Sequence, residues 1–243
     1  MLTFETGKEV ESIERPAVTV SYAQTLDGRL ATLDGSSQWI SAPDSLCVSH
    51  EMRASHDAVM VGAGTVARDD PRLTVRLASG ENPLRVVVDS SLRTRMDAAV
   101  LAGGAARGTV LAVNGRAPQE RCREAESLGA TVLRVLPPGP DGGVDLGALL
   151  GRLGGLGVCS VMVEGGAALI TALLRERFVD RLAVCVAPKI LGAGIEAVGD
   201  LGIRDLARSL CLTDVTFTPR GGDLLLEGRV EYPAERDEVS RAG

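Results

Sequence analysis

The feature that most constrains the fold is a series of short, nearly continuous apolar runs: DAVMVG at 57–62, LRVVVD at 84–89, GTVLAV at 108–113, TVLRVL at 131–136 and VCSVMVEGG at 158–166. A strand with one face in water alternates apolar and polar residues, whereas a strand without alternation is covered on both faces. Helical patterns separate these runs: SAPDSLCVSHEMRASH, APQERCREAESLG with its glycine stop, VDLGALLGRLGGLG and AALITALLRERFV. In the first of these, Ser41 is a candidate N-cap with Asp44 three residues on, and Pro43 falls in the first turn. AVTVSYA at 17–23 and DRLAVCVAPKIL at 180–191 supply further strands. The pattern predicts an α/β protein with a mostly parallel central sheet and helices on both faces. The closing segment SLCLTDVTFTPRGGDLLLEGRVEY reads as an antiparallel hairpin turning at RGGD.

Composition sets limits on function. The 243 residues carry a formal net charge of −6, which argues against bulk nucleic-acid binding but leaves room for an anionic small ligand held by a few arginines. The five cysteines form no CxxC pair and there are only two histidines, so no metal site is expected and the thiols read as free. The N-terminal residues lack an apolar signal core, and no apolar run approaches the roughly 20 residues of a membrane span. A cytoplasmic protein is expected. Elements of one kind continue across PPGPDGG, so 16–232 reads as a single domain, with polar ends at 1–15 and 233–243 expected to be flexible.

Ligands of open α/β sheets sit at the carboxyl ends of the strands, and four strand ends here carry functional groups. AQTLDGRLA (23–31) contains the turn signal Asp27–Gly28; it reads as a tight turn, or as a carboxylate beside a ligand. GAGTVARDDPRLTVR (62–76) offers glycines for close backbone approach, the Thr65 hydroxyl, Asp69 and Asp70 ahead of a helix-ending proline, and Arg72 and Arg76 for an anionic ester. A solvated turn would need the same residue types. VVVDSSLRTR (86–95) places Asp89, Ser90, Ser91 and Arg93 where dinucleotide enzymes contact the ribose or its 2′-phosphate, and equally reads as a polar loop. VMVEGGAAL (161–169) puts Glu164 at a strand end, then two glycines, then a helix start, which makes a seat for a pyrophosphate. His50 reads as a helix-face residue, His56 as a helix-end residue, Trp39 as core or stacking platform, and Lys189 as a phosphate ligand or a loop lysine.

Taken together and in order, TLDGRLA, SQWIS, MRASHDAVMVGAGTVARDDPRLTVR, VVVDSSLR, VMVEGGAAL and DRLAVCVAPKILG resemble the pyrimidine reductase family of riboflavin biosynthesis, from about Val18 to Val230. The resemblance implies a dihydrofolate-reductase-like three-layer α/β fold and a homodimer. It also implies NADPH-dependent reduction of the ribosyl group of a phosphorylated aminopyrimidine to ribityl. The chain is read as a stand-alone reductase. Residues matching cofactor positions are Ala23, Trp39, Thr65, Asp69, Ser90 or Ser91, and Gly165, Gly166, Ala167 and Ala168, with Asp89 a further candidate from its strand end. Ser37, Arg53, Leu73, Arg76 and Glu164 match substrate positions, and Asp27 and Glu164 are the candidate catalytic carboxylates. Bifunctional bacterial members carry a lysine where this chain has Ser21, a lysine associated with the deaminated pyrimidine. Ser21 therefore tilts the expected substrate toward 2,5-diamino-6-ribosylamino-pyrimidinone 5′-phosphate. Two rivals stand beside this reading: a reductase of the same fold acting on another heterocycle or a pterin, including one with weak dihydrofolate activity, and a non-catalytic NADP-binding protein.

Overall fold

The computed structural model describes residues 15–139 and 141–234. Its strands are β1 (Ala17–Thr25), β2 (Arg29–Ala31), β3 (Ala58–Gly62), β4 (Leu84–Val88), β5 (Thr109–Val113), β6 (Thr131–Arg134), β7 (Ser160–Glu164), β8 (Arg181–Ala187), β9 (Ile195–Glu196), β10 (Cys211–Arg220) and β11 (Asp223–Glu231). The helices are α1 (Pro43–Ser55), α2 (Ala63–Asp69), α3 (Gln119–Ser127), α4 (Leu146–Gly155) and α5 (Ala167–Arg175). Nine strands form one sheet in the order β10-β11-β8-β1-β7-β3-β4-β5-β6. Strands β8 through β6 in that order run parallel, and β10 and β11 run antiparallel at one edge. The α/β architecture and the closing hairpin match the sequence expectation.

The absence of alternation in the apolar runs has a direct structural cause. Along β3, Ala58 and Met60 join one core cluster with α4 and α5, while Val59 and Val61 join a second with α3 and the segment 92–106. All four are fully buried. Each strand residue thus meets apolar side chains whichever way it points, which fixes the three layers.

One local expectation is corrected. Ser41 does not cap α1: Ala42 holds the cap position without a side-chain bond, and its own amide donates to Asp223 Oδ2 at 2.6 Å. Arg15, expected in a flexible segment, pairs in bidentate fashion with Asp180 at 2.7 and 2.8 Å. The rest of 1–15, the tail from 235 and Pro140 of the central loop lie outside the described residues. The two-stranded sheet of β2 and β9 was not anticipated. Among the described residues, no helix is long and apolar enough to cross a membrane.

Candidate active site

The insertion of β7 between β1 and β3 sets the carboxyl ends of β7 and β3 beside the middle of β1. In register, Ser21 of β1 lies opposite Glu164, the last residue of β7, and β3 ends at Gly62 beside them. A cleft of about 770 Å³ opens above these ends. Its walls include Ser21, Ala23, Ser37, Trp39, Arg53, Thr65, Asp69, Leu73, Arg76, Glu164 and Gly165 through Ala168, all singled out in the sequence. A separate hollow of about 520 Å³, between the end of α5 and the 201–210 segment, contains none of the candidate residues.

One wall is built from helix starts. Gly165 and Gly166 take φ of 69° and 86°, a region that side-chain-bearing residues rarely enter. They let the chain leave β7 and begin α5 in two residues. A Cβ on Gly166 would come within 3.2 Å of Thr65 Oγ1, so glycine is what permits α5 to approach α2 here. A Cβ on Gly165 would meet nothing within 4 Å. Both α5 and α2 start from a glycine N-cap, and among the described residues no side chain caps their first-turn amides. Unpaired amides and the positive end of the helix dipole favour an anion.

The opposite wall is built from arginines. Arg53, on the last turn of α1, donates to both Glu164 oxygens at 2.5 and 2.6 Å and to the Thr74 carbonyl at 3.0 Å. The pair is largely shielded, with side-chain exposures of 11% and 16%. Arg76 Nη1 bonds Thr74 Oγ1 at 2.8 Å, and among the described residues no carboxylate lies within ion-pair distance of it. Burial, followed by the Arg53 and Arg72 charges, lowers the Arg76 pKa. Two guanidiniums against one carboxylate leave this wall with excess positive charge, which an anionic ester would neutralise. Asp69, the last residue of α2, also lines the cleft, and burial raises its pKa against the opposing pull of Arg68.

Four candidates do not line the cleft: Asp27, Asp89, Ser90 and Ser91. Asp27 is committed to the loop. Its carboxylate accepts from Thr25 Oγ1 at 2.6 Å and from the amides of Leu191 and Gly192. The Thr25 bond leads in lowering its pKa to about 2, so at neutral pH it has no proton to give. Of the two readings of its turn, the geometry fits bracing. Asp89 is 2% exposed; its Oδ2 receives the Thr94 amide and hydroxyl, and its Oδ1 is buried without a partner. A carboxylate so enclosed is closed to a ribose. Ser91 instead borders an open, arginine-rich hollow with Arg93, Arg116 and Arg121. Leu73 sends its side chain into the core at 1% exposure and φ 52°, so only its main chain is left for a ligand. Lys189 Nζ donates to the carbonyls of Trp39 and Ile40, which makes it a loop brace, and Trp39 stands 65% exposed at the cleft mouth. No cluster of three or more potential metal ligands occurs among the described residues.

Sequence reasoning missed His50. It is 4% exposed, lines the cleft, and accepts the Arg76 amide on Nδ1 at 2.8 Å. Its position on the same face of α1 as Arg53, three residues apart, was the available signal.

Comparison with known proteins places the chain in one family. The family described as RibD C-terminal domain matches residues 16–226. The riboflavin biosynthesis protein RibD of Aquifex aeolicus is 39% identical over 214 residues, 88% of this chain, and the chain spans 57% of that protein's length. The 2,5-diamino-6-ribosylamino-4(3H)-pyrimidinone 5′-phosphate reductase of Methanothermobacter thermautotrophicus is 41% identical over 223 residues, covering 89% of this chain and 99% of the relative. Among solved structures, Acinetobacter baumannii RibD superposes with a TM-score of 0.77 at 25% identity, over 89% of this chain and 58% of that one.

Proposed function

The chain belongs to the RibD C-terminal domain family, the pyrimidine reductases of riboflavin biosynthesis, and from that membership we propose that it reduces 2,5-diamino-6-ribosylamino-4(3H)-pyrimidinone 5′-phosphate with NADPH. The observation that carries this reading is that one cleft holds two complementary walls, joined at adjacent residues. Gly165 and Gly166 open the helix-start wall, and the preceding Glu164 anchors the arginine wall.

The cofactor fits the first wall. The space where a Gly165 Cβ would stand is clear of protein atoms, which lets a pyrophosphate reach the amides of Gly166, Ala167 and Ala168. Thr65 and Asp69 border the same side, with Ala23 and Trp39 toward the mouth. Ser90, Ser91 and Arg93 serve the 2′-phosphate from outside the cleft proper. When bound, NADPH supplies the hydride.

The substrate fits the second wall. Arg76, without an ion-pair partner, takes the phosphate, and Ser21 and Ser37 contact the pyrimidine. Glu164, oriented by two Arg53 bonds, accepts a hydrogen bond where pyrimidine meets ribose. Holding the anomeric carbon against the reductant turns a bimolecular encounter into a positioned one. Asp27 is unavailable for the proton that the sugar oxygen takes up; the acids that line the cleft are Asp69 and Glu164. Ser21 favours the diamino substrate because it adds no positive charge beside the pyrimidine. A homodimer is part of this proposal: β10 is a sheet edge that exposes Phe217 at 61% and Val215 at 38%, apolar area suited to a second subunit.

The test is label transfer. With NADPH carrying deuterium at both nicotinamide C4 positions, one deuterium should appear on C1′ of a ribityl product by mass spectrometry. NADPH binding without substrate-dependent oxidation would instead indicate a non-catalytic nucleotide-binding protein.

A further inference from the structure

We propose that His50 is a positioning residue for substrate binding: its neutral imidazole fixes the main chain of Arg76 and so aims the Arg76 guanidinium into the cleft. The inference rests on the reading of Arg76 as the substrate's anion clamp.

The segment from Asp70 to Pro83 contains no helix or strand, so other contacts must fix its course. Leu73 anchors one end in the core. Asn82 Oδ1 accepts the Val75 amide at 2.8 Å, and Arg53 holds the Thr74 carbonyl at 3.0 Å. Gly80 packs against Ala54 so closely that a Cβ there would stand 2.6 Å from the alanine methyl. Among the described residues, the main chain of Arg76 itself has one strong tie, its amide to His50 Nδ1 at 2.8 Å, with the Leu77 amide a weaker second donor at 3.4 Å.

Both of these partners are N–H donors. The Nδ1 lone pair must therefore be free, and the ring proton sits on Nε2. A protonated His50 would set an N–H against two N–H groups and add a third positive charge beside Arg53 and Arg76. Burial and those two arginines act together against that form. The sequence places His50 and Arg53 three residues apart on α1, so one helix face sets both arms of the arginine wall. Arg53 orients Glu164 through its charge, and His50 orients Arg76 through its lone pair.

The experiment compares two amides. Asparagine can present its carbonyl oxygen near the Nδ1 position, whereas glutamine presents it near Nε2. His50→Asn should keep the substrate KM within about threefold of wild type, and His50→Gln should raise it by about 10-fold or more, with kcat changed much less. The Arg76 amide should exchange its hydrogen faster in His50→Gln than in His50→Asn, a readout independent of activity. A merely structural His50 would lower stability in both variants without separating KM from kcat. Equal KM values for the two variants would overturn the proposal, as would unchanged Arg76 amide exchange in His50→Gln. Arg76→Ala serves as the control on the premise. If it leaves KM unchanged, the clamp assignment itself fails; if it raises KM while His50→Gln does not, only the positioning role fails.

Discussion

Alanine at Gly165 and at Gly166 should have separable effects, because the two glycines solve different problems. Both have positive φ, where an L-residue costs about 1–2 kcal/mol in the left-handed region. Gly165 at φ 69° carries that backbone cost alone, since its Cβ would meet no protein atom within 4 Å. Gly166, with φ 86° and ψ 93°, lies farther from any well open to alanine, and its Cβ would press on Thr65 Oγ1 at 3.2 Å. Gly165→Ala should therefore destabilise the ligand-free protein by about 1–2 kcal/mol and Gly166→Ala by about 2–3 kcal/mol. NADPH affinity should not follow that order. The Gly165 methyl would enter the space through which a pyrophosphate approaches the α5 amides, so Gly165→Ala should raise the NADPH Kd by about 10-fold or more. Chemical denaturation gives the first quantity and titration calorimetry the second. If Gly165→Ala bound NADPH as tightly as wild type, the α5 start would not be the pyrophosphate seat, whatever happened to stability.

Other consequences can be checked with ordinary assays. Arg76→Ala should raise the substrate KM by roughly 10- to 100-fold, the value of one charge-assisted contact, while leaving the denaturation midpoint close to wild type; an unchanged KM would remove Arg76 from the site. The His50 pKa is lowered from 6.5 to about 4, chiefly by burial and then by Arg53 and Arg76. The unfolded chain then takes up the proton first, so this contribution to stability is complete above about pH 6.5 and declines as pH falls toward 4. Its full size is on the order of 3 kcal/mol, and denaturation curves at stepped pH should show a steeper decline in wild type than in His50→Asn. Asp27→Asn should leave kcat within about threefold of wild type, because Asp27 braces the 189–192 loop and does not line the cleft; a loss of about 100-fold would restore it as an acid–base group.

Much of this was legible in the sequence because burial leaves a pattern. Ala58 through Val61 are apolar without alternation since each faces a core, and the same holds for Val86 and Val87 of β4, Val110 through Val113 of β5 and Val161 through Val163 of β7. Glycines at 165 and 166 announced a strand-to-helix transition that other residues could not make so tightly. What the sequence did not disclose depends on partners brought from afar. Nothing near Asp27 reveals that the Leu191 and Gly192 amides claim its carboxylate. Asp89, Thr94 and their loop look like a polar ligand-binding turn until Asp89 proves to be enclosed. Leu73 matched a substrate position by motif, yet its positive φ turns the side chain inward. β2 and β9, with three and two residues, are too short for any periodicity to register. At the start of α1 the Ala42 amide goes to Asp223, far along the chain, and the adjacent Ser41 does not cap the helix.

The most direct test of the account is a side-by-side NADPH-oxidation assay with the diamino and the deaminated ribosylaminopyrimidine phosphates. Oxidation should depend on substrate, with kcat/KM at least about 10-fold higher for the diamino compound, the scale of one well-placed polar contact. Preference for the deaminated compound would contradict the reading of Ser21, and oxidation with neither would contradict the assignment of the cleft.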